Sequence, residues 1–463
     1  MLILAETLNP LDGRYKEQTD PLLKFFSEKA LFKYRNIVEL EYLLALSELG
    51  KLHLRKFTQA EKKLILALEN FTDKDYEIVK QIEKTTNHDV KALEYLIKEK
   101  LKNTSLNDIS EWVHFALTSD DVNEIAYGLM ISESLNEVII PALSQILQTL
   151  ENFSSVYKDL PMLARTHGQP ATPTTFGKEF KVFACRLQKQ LVQLKKYKVN
   201  AKLNGATGNY NAHAAAYPNI NWLSFSKNFI NSFNKDRKIK LQANVVTTQI
   251  ESHDNYAELF DLLRRINIIL IGFDQDIWRY ISDNWITQKP KEGEVGSSTM
   301  PHKINPIDFE NSEGNLGLAN ALLNFFSFKL PISRLQRDLS DSTVLRNIGV
   351  AFGYCLVGYT SIIKGLGKIS INKEVVVREL EQNIQVVAEA IQTILKREGV
   401  KMPYEQLREL TRGKQVTSTD LDKFIDGLYV SNKIKLELKN IKPVNYLGIA
   451  KKLATFNKQS TNS

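Results

Sequence analysis

Apolar side chains recur at helical spacing over most of the chain. From Phe176 they fall at Phe176, Phe180, Phe183, Leu187, Leu191, Leu194 and Tyr197. Steps of three and four draw one stripe down a helix, close to a coiled-coil seam. Lys181, Arg186 and Lys189 fall off that stripe. Glu251 to Ile286 holds one glycine and no proline, which predicts a single helix of about 54 Å. Helices that long are too extended for a compact globule and predict a long bundle shared between subunits. Val, Ile and Thr rarely alternate with polar residues, so strands are expected to be minor. Proline- and glycine-bearing breaks are few: a turn at Asn9–Tyr15, a three-proline loop at Leu160–Pro173, and Pro290–Pro306. Helical spacing predicts an all-α fold, and the loop Lys102–Asp108 together with a compositional shift near 365–372 marks boundaries that divide it into three helical domains. They are an N-terminal domain over 1–111, a central long-helix bundle over 112–364 and a C-terminal domain over 365–463.

Composition narrows the class. The chain has 463 residues, of which 43% are hydrophobic and 25% charged, enough to bury a large core and to exclude disorder as the main state. The net charge is +8. Residues 371–463 carry 16 basic against 11 acidic side chains, a mixed surface and not a concentrated nucleic-acid footprint. Cys185 and Cys355 are isolated, which excludes a disulfide scaffold or a cysteine zinc site and suits a reducing, cytoplasmic location. The N-terminal stretch has no basic n-region. The apolar, uncharged stretch Asn347 to Ile363 has 17 residues. It falls short of the roughly 20 apolar residues that a bilayer requires, so it reads as a buried helix, and no membrane partner is expected.

Most familiar chemical signatures are missing. No dinucleotide or P-loop glycine pattern, HExxH or GxSxG occurs, and the seven histidines are scattered. Neither a cofactor nor a metal is therefore expected. What remains is a set of polar breaks between apolar helices. Gly293 to Pro306 offers glycine mobility, the hydroxyls of Ser297, Ser298 and Thr299, the Lys303 cation and the Asn305 amide. That composition suits either a mobile anion-binding lid or an ordinary surface connection. His167 lies among Arg165, Thr166 and Gln169. It reads either as a surface polar residue or as a histidine whose tautomer its neighbours fix. Thr118 to Asp121 reads as a helix N-cap with a D-x-x-E box at Asp121 and Glu124, or as part of a site. Thr85 to Asp89 is a further polar break. Arg334, Arg337 and Arg346 lie within thirteen residues alongside several hydroxyls, a plausible phosphate or carboxylate clamp.

Together these segments resemble a known family. GSSTMPHKINP at 296–306 is similar to the signature loop of the fumarase/aspartase superfamily, and histidine after its proline resembles the adenylosuccinate lyase family within it. RTHGQPATPTTFGKE, TTNHDVKALEY, HFALTSDDVN, NGATGNYNAH, DGRY and KLPISRLQRDLSDSTVLRN match the same family. The likeness runs from about residue 9 to about 450 and leaves Thr455–Ser463 unmatched.

The resemblance implies a fumarase/aspartase-like homotetramer whose active sites draw loops from three subunits. Its substrates would be small-molecule nucleotides: adenylosuccinate, giving AMP, and succinyl-aminoimidazole carboxamide ribotide, each losing fumarate by β-elimination. Ser297 is then the general base and His167 the general acid, although residue types alone do not separate Ser297 from Ser298. Arg14 and Tyr15 fall at the nucleotide end. Asn87, His88, Asp89, Thr118 and Ser119 line the substrate. Gln249, Ser298, Lys303, Asn305 and Asn311 hold the succinyl and neighbouring groups. Arg337 and the run Ser342, Thr343, Val344, Leu345 and Arg346 grip the phosphate. Other superfamily lyases, a silent structural homologue and a basic nucleic-acid binder are the competing readings.

Overall fold

The computed structural model describes residues 6–289, 300, 302–412 and 416–456. The chain is all-α in class. Among the described residues the strands are three to seven residues long and form three two-stranded sheets. The long helices Phe176–Lys196, Asp254–Ser282, Ile307–Lys329 and Ile348–Leu366 form the expected bundle. Every member of the stripe from Phe176 to Tyr197 is buried. The helix expected over Glu251–Ile286 is shorter, at Asp254–Ser282, about 43 Å. His253 and Asn284 both take left-handed backbone conformations, and a residue in that conformation does not continue a right-handed helix.

The chain divides into two compact units, each built from distant segments. These are groupings in space, a different property from the consecutive boundaries near 111 and 364. The first unit comprises 1–144, 190–268 and 312–360. Its helix Glu28–Glu48 buries Leu31, Tyr34, Val38, Tyr42 and Leu46 together with Arg35 and Glu39, as an interior helix does when neighbours cover it on most sides. Asn267 ties three long helices in this unit. Its amide donates to Asn320 Oδ1 at 3.0 Å and accepts from Tyr359 Oη at 2.6 Å.

The second unit comprises 145–189, 269–311 and 361–463. Aromatic rings fill its core: Phe273 meets Phe183 at 5.3 Å and Phe309 at 6.4 Å, and Phe153 stacks on Phe180 at 5.0 Å. Gly177 allows a close approach, since a Cβ there would stand 2.4 Å from the Ser154 carbonyl oxygen. Ser154 Oγ donates to the carbonyl oxygens of Gly177 and Ala454 across that contact.

The segment Ser340–Leu366 is long and apolar enough to cross a membrane by length and composition, more than the 17-residue reading allowed. Yet 67% of its most apolar window is buried inside the protein, so it serves as a core helix.

Candidate functional site

In the first unit, helix Asp73–Thr86 opens on a Thr72–Asp75 capping box and ends at Asn87, whose left-handed φ of 49° stops it. Asparagine tolerates that conformation because its short side chain bonds locally. His88 then caps helix Asp89–Leu101, its Nδ1 accepting from the Lys91 N–H at 3.1 Å. The corner leaves Asn87 and His88 exposed and turns Asp89 inward. Asp89 Oδ2 accepts from Arg35 Nη1 at 2.8 Å and from Arg346 Nη2 at 2.9 Å. Burial alone would raise this carboxyl, but the two guanidiniums outweigh it and hold it well below the usual carboxylate range.

Helix Ser119–Ser134 is tied to this corner through Arg35, which bonds both Asp89 and Asn123. The cap is Thr118, with Asp121 as the acid three residues on: the Thr118 N–H donates to Asp121 Oδ2 at 2.9 Å. The D-x-x-E box expected at Asp121 and Glu124 is therefore displaced by one turn. Glu124 faces the interior instead, 3.1 Å from His253 Nε2. Asp121 also receives the N–H groups of Asn204 and Gly205, and it pairs with the fully buried Lys202 at 2.8 Å. Lys202 Nζ reaches the carbonyl oxygens of Gly205 at 2.9 Å and Gln249 at 2.8 Å as well. Its three donors thus join three separate segments of the unit.

The arginine-rich segment completes the cluster. Arg337 pairs with Asp120 and donates to Gln249 Oε1 at 3.2 Å. Burial raises the Asp120 carboxyl above its ordinary range, and Arg337 works against that rise. Ser342 and Thr343 lie on the short helix Ser340–Leu345, while Val344 and Leu345 point into the core. Only the backbone of those two can meet a ligand, because their side chains are committed to packing. Arg14 is exposed, 6.0 Å from the Tyr15 ring, in the turn before helix Lys16–Phe26.

In the second unit, the expected three-proline loop is a β-hairpin, Pro161–Thr166 against Gln169–Thr175. His167 and Gly168 form its two-residue turn with φ of 53° and 74°, the signs that a type I′ turn requires. Prolines fit because each strand has an open edge. Arg165 donates to the Gly168 carbonyl oxygen at 3.3 Å, pairs with Glu379 and lies 5.9 Å from the Trp285 ring. These contacts hold the turn while leaving the His167 side chain exposed. Lys303 is exposed, and the Asn311 amide donates to Ser361 Oγ at 2.8 Å. Asn305 is half-buried in the approach to helix Ile307–Lys329. Ser297 and Ser298 lie outside the described residues.

Comparison with known proteins fits this layout. A family model described as "Lyase" matches residues 13–320, and one described as "Adenylosuccinate lyase C-terminal" matches 333–447. The adenylosuccinate lyase of Haemophilus influenzae is 49% identical over 449 residues, covering 96% of this chain and 97% of that one. Its namesake in Dictyostelium discoideum is 51% identical over 453 residues, with 96% of each chain covered. The chain belongs to the adenylosuccinate lyase family. The fold also matches a 3-carboxy-cis,cis-muconate lactonizing enzyme from Pseudomonas putida. That match has a TM-score of 0.74 at 19% identity and covers 94% of this chain and 95% of that one.

For an adenylosuccinate lyase family member, the sequence reading missed four polar residues of the first unit: Arg35, Asp120, Asn123 and Lys202. Asp120 stood inside a motif already singled out. Asn123 closes the quoted segment HFALTSDDVN, while Arg35 and Lys202 gave no local signal, since the carboxylates they pair with, Asp89 and Asp121, are distant in the chain.

Proposed function

We propose that the protein cleaves adenylosuccinate to AMP and fumarate, and succinyl-aminoimidazole carboxamide ribotide to its carboxamide ribotide, by β-elimination. The observation that carries this reading is identity near one half, over almost the full length, to proteins named adenylosuccinate lyase. The reaction removes a weakly acidic proton from the carbon beside a carboxylate and then protonates the departing nitrogen. His167, presented on a braced hairpin turn, serves as the acid. Ser297 serves as the base, its alkoxide favoured by the Lys303 cation once water is excluded. Arg337 and Arg346 take the phosphate, each already oriented by a carboxylate.

The same proposal includes a homotetramer with active sites shared between chains. One face of helix Ile307–Lys329 supports assembly. Leu318, Phe325 and Phe328 are 54, 49 and 70% exposed there. Gly314, Gly317 and Ala321 on the same face let another helix come close. A reducing, cytoplasmic compartment is also proposed, as the two free cysteines suit it.

Incubation with adenylosuccinate, with and without EDTA, tests the reading. Fumarate and AMP should form one-to-one at equal rates in both samples. No fumarate release, or a loss on chelation that one added metal restores, would count against it.

A further inference from the structure

Arg35 is a charge in the wrong place for packing alone. It lies on helix Glu28–Glu48 and is 2% exposed. Burying a guanidinium costs solvation, and a buried ion pair is a weak source of stability. Its two outward bonds go to different segments: Nη1 to Asp89 Oδ2 and Nε to Asn123 Oδ1, each at 2.8 Å. Each partner then leads to an exposed or half-exposed arginine. Asp89 receives Arg346 at 2.9 Å. Asn123 donates to Asp120 Oδ1 at 3.0 Å, and Asp120 pairs with Arg337.

The polar path therefore runs Arg346, Asp89, Arg35, Asn123, Asp120, Arg337. Arg35 is the node between the Asp89 branch and the Asn123 branch, which end on two arginines of one segment. A guanidinium fixes both directions at once because its donors form a rigid planar fork. An ammonium at the same point would supply charge without that geometry.

We propose that Arg35, acting through Asp89 and through Asn123 and Asp120, is a positioning residue that sets Arg346 and Arg337 at the separation a phosphate monoester requires. The inference rests on the phosphate role given above to those two arginines. Arg35 touches no substrate in this scheme. It prepays the ordering of two long side chains, so its effect falls on binding of the phosphorylated end more than on bond cleavage.

The test compares adenylosuccinate with the corresponding nucleoside lacking the phosphate. The readout is the ratio of the two kcat/KM values. Arg346→Ala and Arg337→Ala come first, and each should reduce the ratio about tenfold or more. Arg35→Met should reduce it by a similar factor, mainly by raising KM for the nucleotide, with the nucleoside nearly unaffected. Arg35→Lys should recover only part of the loss. Asn123→Ala, a milder change that keeps the buried charge paired with Asp89, should give an intermediate ratio and carries the test if Arg35→Met does not fold. If both arginine variants lose discrimination while the Arg35 and Asn123 variants depress the two substrates equally, Arg35 is merely structural and the proposal fails. If the arginine variants themselves keep full discrimination, the phosphate role falls first and the proposal falls with it.

Discussion

Burial and the neighbouring Glu41 carboxylate push the Glu69 carboxyl up to about 7. A carboxyl raised in the folded state favours the protonated form there, so folding loses stability as pH rises through that value. Glu69→Gln should therefore raise Tm at about pH 8.5 and leave it nearly unchanged at about pH 4. Thermal melts at the two pH values check this. His253 shows the complementary case. Burial alone would lower it, but Glu124 outweighs burial and raises it to about 9. The pair's contribution is complete below the unfolded histidine value and is lost as pH rises through about 9. Glu124→Gln should lower Tm near pH 6.5 and flatten the decline toward pH 9, since the charge that held the imidazolium is gone. A decline as steep as that of the unmodified protein would refute the assignment.

At the scale of elements, the seam of helix Phe176–Lys196 was legible because its spacing is local, and burial of every stripe residue follows from it. Leu187 is fully buried in that seam. Leu187→Ala should cost about 2–5 kcal/mol, measured by denaturant unfolding. Gly177→Ala tests the close approach beside it. The added Cβ meets backbone atoms, which cannot swing aside, so a lower Tm is expected despite alanine's better helix propensity. Other elements were less legible for physical reasons. Three prolines suggested a loop at Leu160–Pro173, but an isolated two-stranded hairpin has open edges that tolerate them. The long helix was overdrawn because left-handed His253 and Asn284 carry no glycine or proline to announce a stop. The path through Arg35 joins residues 54 and 88 positions apart, a proximity that folding creates and helical periodicity does not encode. The motif segments themselves were legible, yet their division between two compact units was not.

At the scale of the whole molecule, the uncovered face of helix Ile307–Lys329 bears on assembly. A charge at its most exposed ring should weaken association while sparing the chain's own core. Phe328→Asp is expected to lower the oligomer mass in light scattering and to lower activity with it. Unchanged mass would remove that face from the interface. The central claim is that His167 and Ser297 act as acid and base in one centre assembled from different chains. His167→Ala and Ser297→Ala should each lower kcat by about 10²–10⁴-fold. The most direct measurement mixes the two inactive variants, allows verified subunit exchange and follows fumarate release from adenylosuccinate. A shared centre predicts that mixing restores part of the activity, because some centres then combine an intact His167 with an intact Ser297. No recovery after complete exchange would contradict it.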